Sequence, residues 1–441
     1  MKTDPKLMKI AEDLVKYSQK KGAGEVQVTI GNSKKFNVDV RNQEIERLEE
    51  ASSTGLSLKV IIDGKVATAT SSDLSEDALH KIADNAIKRA QYTSKDPYAA
   101  LPEFSPLDVN VGSLKLYDPA VNEITPEKKI ATAMKLEKIC LADPRVKNSS
   151  GSSFSTNDYS SYLANSKGFA NSYAQTGCSA SVFIQAGEDG NMFEDGWWDS
   201  AHHYADLGNT EHISAKAIQR VTQLLGAKKI KTQKAPIIFD PNMTSALMSY
   251  LTQCVSGHNI YMEQSFLAGK IGSAIAAANV NVIDDGLIPK GPGTRPFDSE
   301  GVPTGKMYVI RSGKLENYLL DTYSARKLDM KSNGHDGGPT NFFLENGSST
   351  PEEIYRSVDR GLLLTKTIGQ GTNSTTGDFS KGAFGVWIEN GEPVHPVAEV
   401  TISGNLGDML SNIVMIGNDN DFRRSVSGPT IRIDGMTISG I

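Results

Sequence analysis

AFGVWIENGEPVHPVAEVTISG, residues 383 to 404, carries apolar-rich flanks on either side of Asn390-Gly391. A two-residue Asn-Gly turn with such flanks is the strongest short-range signal of a β-hairpin, because both turn positions tolerate positive φ. A second hairpin pattern, MYVIRSGKLENYLL (residues 307 to 320), turns at Ser312-Gly313. APIIFD (residues 235 to 240) reads as a short buried strand. Pro241 and a helix over residues 243 to 256 follow it, with Met243, Ala246, Leu247, Tyr250, Leu251 and Cys254 on one face. The last part of the chain is therefore expected to be mainly antiparallel β, closed or strongly curved like a barrel, with a few helices.

Upstream, Thr125-Pro126-Glu127 opens a helix reaching about Leu141, since proline costs nothing in a first turn. Strand-like segments and a polar SSGSSFST stretch come next, and ISAKAIQRVTQLLGA (residues 213 to 227) closes a middle α+β domain. At the start of the chain, Leu7, Ile10, Ala11, Leu14 and Val15 form a helical stripe. EVQVTI (25 to 30), KFNVDV (35 to 40) and GLSLKVIIDGKVATAT, with its Asp63-Gly64 turn, alternate with period two. A helix capped by Ser75 runs to about Ala90. Proline-punctuated text from 93 to 118 and the lysine-bearing stretch 228 to 234 mark boundaries. The expected fold class is α+β in three domains. Residues 1–112 form an N-terminal α/β domain whose antiparallel sheet is flanked by helices, 113–230 the middle domain, and 231–441 the β-rich domain.

The 441 residues suffice for several cores. A net charge of -6 without a Lys/Arg block argues against nucleic acid as a direct partner. No stretch approaches the roughly 18 apolar residues of a membrane span, and no apolar leader precedes the first helix, so a cytoplasmic location is expected. Three widely spaced cysteines, Cys140, Cys178 and Cys254, suit neither a disulfide framework nor a zinc knuckle.

A single-chain zinc protease needs two histidines and a carboxylate grouped on one helix, yet none of the seven histidines is followed by glutamate. His202, His203 and His212 read as loop histidines, and His80 with Asp84, at i and i+4, as an ordinary pair. Asp298 and Glu300, in the glycine- and proline-rich TRPFDSEGVPTG, are either turn formers or cleft carboxylates. No G-x-S-x-G elbow occurs, and GQGTNSTTGD (369 to 378) lacks the Gly-Lys-Ser/Thr ending of a phosphate loop. Trp197-Trp198, beside Asp195 and Asp199, suits an aromatic binding surface or interdomain packing.

FDSEGVPT (297 to 304), YSARKL (323 to 328), GHDGG (334 to 338), TGDFSKGAFGVWIENGE (376 to 392), PVAEVTISGNL (396 to 406) and NIVMIGND (412 to 419) resemble the TldD/PmbA family, specifically its PmbA (TldE) branch. The first domain is similar as well, so the likeness spans nearly the whole chain. It implies a cytosolic two-chain metalloprotease acting on unfolded or extended peptides, in which the TldD-type chain carries zinc on an H-E-x-x-x-H helix. Matching Ser265, Phe266, Gly269 and Gly272 to that family sets the motif's ligand and base positions on Met248, Ser249 and Gln253. No cysteine follows Cys254 to act as a further ligand. The resemblance thus implies a non-catalytic subunit without a metal or cofactor of its own, paired with a TldD-like chain or self-associated as a homodimer. The candidate cleft residues are Asp298, Glu300, His335 and Asp378. Two alternatives stand beside this: a hydrolase in its own right built on Asp298, Glu300 and His335, and a protein-binding regulator of DNA gyrase or of a toxin–antitoxin system, gyrase modulation being a label the family carries.

Overall fold

The computed structural model describes residues 3–188 and 191–441. Six antiparallel strands form the first sheet: β1 Glu25–Arg41, β2 Glu44–Ile62, β3 Lys65–Ser71, β4 Val146–Asn165, β5 Ala170–Glu188 and β6 Asn191–Ala201, in the order β3-β2-β1-β4-β5-β6. The sheet is continuous across the expected boundary near 112, because β1 pairs with β4 from Gln27 opposite Asn165 to Val40 opposite Ser152. Helices α1 Pro5–Lys20 and α2 Glu76–Tyr92 cover one half, closing a core around Val28, Leu58, Ala83 and Ala86. The short α3 Ala120–Glu123, then α4 Pro126–Leu141 and α5 Thr210–Thr222, serve the other half, around Phe154, Val182, Leu136 and Ile213.

One sequence reading is corrected here. EVQVTI and KFNVDV are not separate strands but one of 17 residues, since the polar residues between them pair with β2 on one side and β4 on the other. The serine-rich stretch after residue 148 lies inside β4. Its hydroxyls replace apolar contacts: Ser153 meets Ser181 and Ser155 meets Ser179 across the sheet at 2.8 Å each, and Ser152 donates to the carbonyl of Ala133 at 2.7 Å. Cross-strand hydroxyl pairs of this kind stabilise a sheet without an apolar pattern.

In the last part of the chain, β7 Gln233–Phe239 leads into α6 Pro241–Cys254, whose N-cap Asp240 accepts from the amide of Met243 at 2.8 Å. The short α7 Gly257–Tyr261 follows. A small sheet contains β8 Val282–Asp285, β9 Lys306–Arg311, β10 Lys314–Leu315, β11 Phe342–Leu344 and β16 Val426–Ser427, and α8 Thr322–Lys327 packs against α7. The second sheet, in the order β14-β13-β12-β7-β17-β15, uses β12 Arg360–Ile368, β13 Asp378–Glu389, β14 Glu392–Asn405, β15 Ile413–Ile416 and β17 Ile431–Ser439. It closes into a barrel where β14 also pairs with β17, Thr401 opposite Ser439. The expected turns are present: Asp63-Gly64, Ser312-Gly313 and Asn390-Gly391 all hold left-handed φ, between 48° and 81°. A helix, α6, packs against β12 of the barrel and β11 and β16 of the small sheet, which buries Leu247, Met248, Leu251 and Cys254 in the largest core. No helix among the described residues is long and apolar enough to cross a membrane.

Candidate functional site

The family's metal motif would lie on α6. Met248 is fully buried at 0% exposure and belongs to the apolar core, whereas Ser249 and Gln253 stand on the helix's exposed side. Ser249 donates its hydroxyl back to the carbonyl of Ser245 at 2.9 Å, so its one proton is already engaged. Thioether, hydroxyl and amide do not fit zinc as hydrolytic enzymes hold it, which takes imidazole, thiolate or carboxylate donors. No group of three His, Cys, Asp or Glu residues able to hold a metal ion comes together among the described residues.

Beside the C-terminal end of α6 is a cleft of about 310 Å³, lined in part by Gln253, His258, Asp321, His335 and Asp336. Of the four expected cleft residues, only His335 faces it. Asp298 lies behind, 2% exposed, accepting backbone N–H groups from Glu300 and Val302 at 2.9 Å and from Asp336 at 3.0 Å. Burial nevertheless pushes its carboxyl up to about 7, helped by the charge of Glu300. Glu300 is 5% exposed, accepts from the amide of Thr322 at 2.9 Å and sits 3.7 Å from the Lys59 ammonium. His335 places Nε2 2.9 Å from Asp284 and Nδ1 2.9 Å from the Asn333 side-chain oxygen. Asp284 is itself held by the backbone N–H of Thr340 at 2.9 Å. Asp336, on the cleft wall, is raised to about 6 by burial and by the charges of Glu300 and Asp321. Asp378 lies at the head of β13, exposed, and accepts from the Thr376 hydroxyl at 2.6 Å. Asp298, Glu300 and His335 are thus brought together as a buried network joining β8 at Asp284, the start of α8 at Thr322 and the loops of residues 298, 333 and 340; Asp378 lies apart, at the head of β13.

The other sequence candidates are engaged structurally. His80 stacks on Tyr17 with ring centres 3.6 Å apart and does not pair with Asp84, which accepts from the Tyr17 hydroxyl at 3.2 Å. Both ring nitrogens of His202 face carbonyl oxygens, of Thr176 at 2.6 Å and Gly291 at 3.2 Å, and His203 meets that of Lys115 at 2.8 Å. The GQGTNSTTGD loop packs near α6, where the Tyr250 hydroxyl donates to the carbonyl of Asn373 at 2.7 Å. Trp197 and Trp198 serve packing between parts of the chain: the Arg423 guanidinium lies 3.8 Å from the Trp197 ring centre, and that of Arg424 lies 4.8 Å from Trp198.

Sequence reasoning missed a larger cavity, about 990 Å³, between the first sheet with α5 and the C-terminal part. A buried bridge crosses one wall. Arg220 of α5 lies 3.2 Å from both Asp195 of β6 and Asp240 at the head of α6, and donates to the carbonyl of Thr365 at 2.7 Å. Burial raises the Asp240 carboxyl to about 6 although Arg220 and the Met243 amide pull it down. The polar stripe of α5, His212, Lys216, Gln219, Arg220 and Gln223, has ordinary helical spacing, and a solvated face shows the same pattern.

Three domain models of the PmbA/TldA metallopeptidase match the chain: domain 1 over residues 26–90, the central domain over 119–225 and the C-terminal domain over 232–440. Metalloprotease PmbA of Escherichia coli O157:H7 is 34% identical over 436 residues, covering 98% of this chain and 96% of that protein. The PmbA homolog of Haemophilus influenzae is 32% identical, covering 97% and 94% respectively. Among solved structures, a candidate modulator of DNA gyrase from Bacteroides thetaiotaomicron superposes with a TM-score of 0.92 at 30% identity, over all of both chains. TldE from Thermococcus kodakarensis shares the fold, with a TM-score of 0.87 over 97% of this chain and 99% of that one at 22% identity. Sequence and architecture agree along the full length, and the chain belongs to the PmbA/TldD family.

Proposed function

We propose that this chain is the non-catalytic, PmbA/TldE-type subunit of a cytoplasmic two-chain metalloprotease that processes unfolded or extended peptides. Zinc and the general base belong to a TldD-like partner chain, and this chain walls the chamber in which the peptide is held. The observation that carries the reading is the chemistry of α6, where Met248 is sealed in the core and Ser249 and Gln253 occupy the remaining motif positions. None of the three can ionise a bound water or polarise a peptide carbonyl through zinc. An extended peptide suits such a chamber because only an unfolded chain offers its backbone groups for strand-like capture.

The rival reading, hydrolysis at Asp298, Glu300 and His335, is weakened by the same geometry. Each of these side chains is more than nine-tenths buried and already bonded to neighbouring loops. A regulator acting on gyrase or on a toxin–antitoxin system has no support in the site's chemistry. Co-expression with the TldD-like chain of the same organism provides the test. The two chains should co-elute, and an unstructured peptide should be cleaved by the pair and not by this chain alone. Cleavage by the TldD-like chain at full rate without this chain would remove the proposed role.

A further inference from the structure

The 990 Å³ cavity is lined by charges that are nearly all internally matched. Arg220 is bound by Asp195 and Asp240, Lys290 meets Asp206 at 2.6 Å, and Arg423 donates to Asp421 at 2.6 Å. Asp199 accepts backbone N–H groups from Ser200 at 2.9 Å and Gly208 at 2.6 Å, and Asp419 accepts the amide and hydroxyl of Thr430 at 2.8 and 2.7 Å. Lys216 breaks the pattern. It is partly buried on the α5 wall, and its ammonium has no carboxylate or carbonyl partner among the described residues. On the same lining stand the side chains of Gln219, which is exposed, and of the partly buried Gln223 and Asn242, and the Asn157 side-chain oxygen is buried without a donor.

A large concave space at a junction between parts of a chain, with a few convergent polar groups, is where ligands are ordinarily held. Side-chain amides offer a donor and an acceptor together, which matches the alternating N–H and C=O of a peptide backbone. An ammonium on a cavity wall with no carboxylate beside it suits an anionic ligand such as a carboxylate. We propose that this cavity is a binding site for a short extended peptide bearing a carboxylate, which Lys216 takes while Gln219, Gln223 and Asn242 hold the backbone. The proposal rests on the preceding reading only for peptide as the ligand class; it needs neither zinc nor a partner chain.

The test uses the purified full-length chain and three tetrapeptides: acetyl-Ala-Glu-Ala-Ala-amide, its Gln counterpart, and acetyl-Ala-Ala-Ala-Ala with a free C-terminal carboxylate. Calorimetry reads affinity, and the fluorescence of Trp197 in the cavity wall reports occupancy. At least one carboxylate peptide should bind about tenfold or more tightly than the Gln peptide, a difference of about 1.4 kcal/mol. Which one binds identifies the carboxylate as that of a side chain or of a chain end. Lys216→Gln should abolish the preference and Lys216→Arg should keep it, with thermal midpoints unchanged in both. Equal binding of all three peptides, no binding of either carboxylate peptide at millimolar concentration, or an unaltered preference in Lys216→Gln would overturn the proposal. Cleavage by the two-chain complex is read separately, so either idea can fail alone.

Discussion

Met248, expected at a ligand position of the family's metal motif, belongs to the apolar core. Its thioether fills core space in the cluster that holds Leu247, Leu251 and barrel residues, so the position serves packing. Met248→Ala should cost about 2–5 kcal/mol in urea unfolding, as truncations in such cores do. Ser249→Ala, on the exposed side, should change stability by roughly 0.5 kcal/mol or less. Carboxyls at this scale make a second prediction. Asp240, Asp298 and Asp336 are raised to about 6, 7 and 6 from a usual 3.8, so each binds its proton more tightly in the folded chain than in the unfolded one. Their contribution to stability is complete below about pH 4 and is lost as pH rises towards 7. Melting midpoints measured from pH 4.5 to 7.5 should show this decline, and Asp240→Asn, which keeps a capping side chain, should flatten it; an unchanged slope in the variant would rule out Asp240 as a source.

Among the elements, those with a strong local signal were legible. The Asn-Gly, Ser-Gly and Asp-Gly turns fixed their hairpins, because left-handed φ restricts which residues can occupy a turn. Thr125 and Pro126 marked the start of α4, where the threonine hydroxyl accepts from Lys128. The interior of β1 and the serine-rich part of β4 were not legible, since their stability comes from pairing with strands distant in sequence. Asp298, Glu300 and His335 were recognised as a group because a glycine-rich loop with acids draws attention. That their role is to tie loops together depends on partners such as Asp284, Asn333 and Thr340, which no local pattern announces. Arg220 was missed for the same reason. Its two carboxylate partners lie on β6 and at the head of α6, so Arg220→Ala would leave both carboxylates buried without the cation that bridges them. The expected loss is about 3–5 kcal/mol, measured by chemical denaturation.

At the scale of the molecule, a sheet shared by the first two parts of the chain and a closed barrel in the third create a walled interior without a metal ligand set on α6. Under the proposed function, such a body would shape and hold a substrate while a second chain supplies the chemistry; the family likeness itself runs along the full length. The decisive measurement is the metal content of this chain, purified alone without an affinity tag, by mass spectrometry, beside that of its complex with the TldD-like chain. The account predicts negligible zinc in the isolated chain and about one zinc per pair in the complex. A full equivalent of zinc held tightly by the isolated chain, with peptide cleavage that a chelator abolishes, would contradict it.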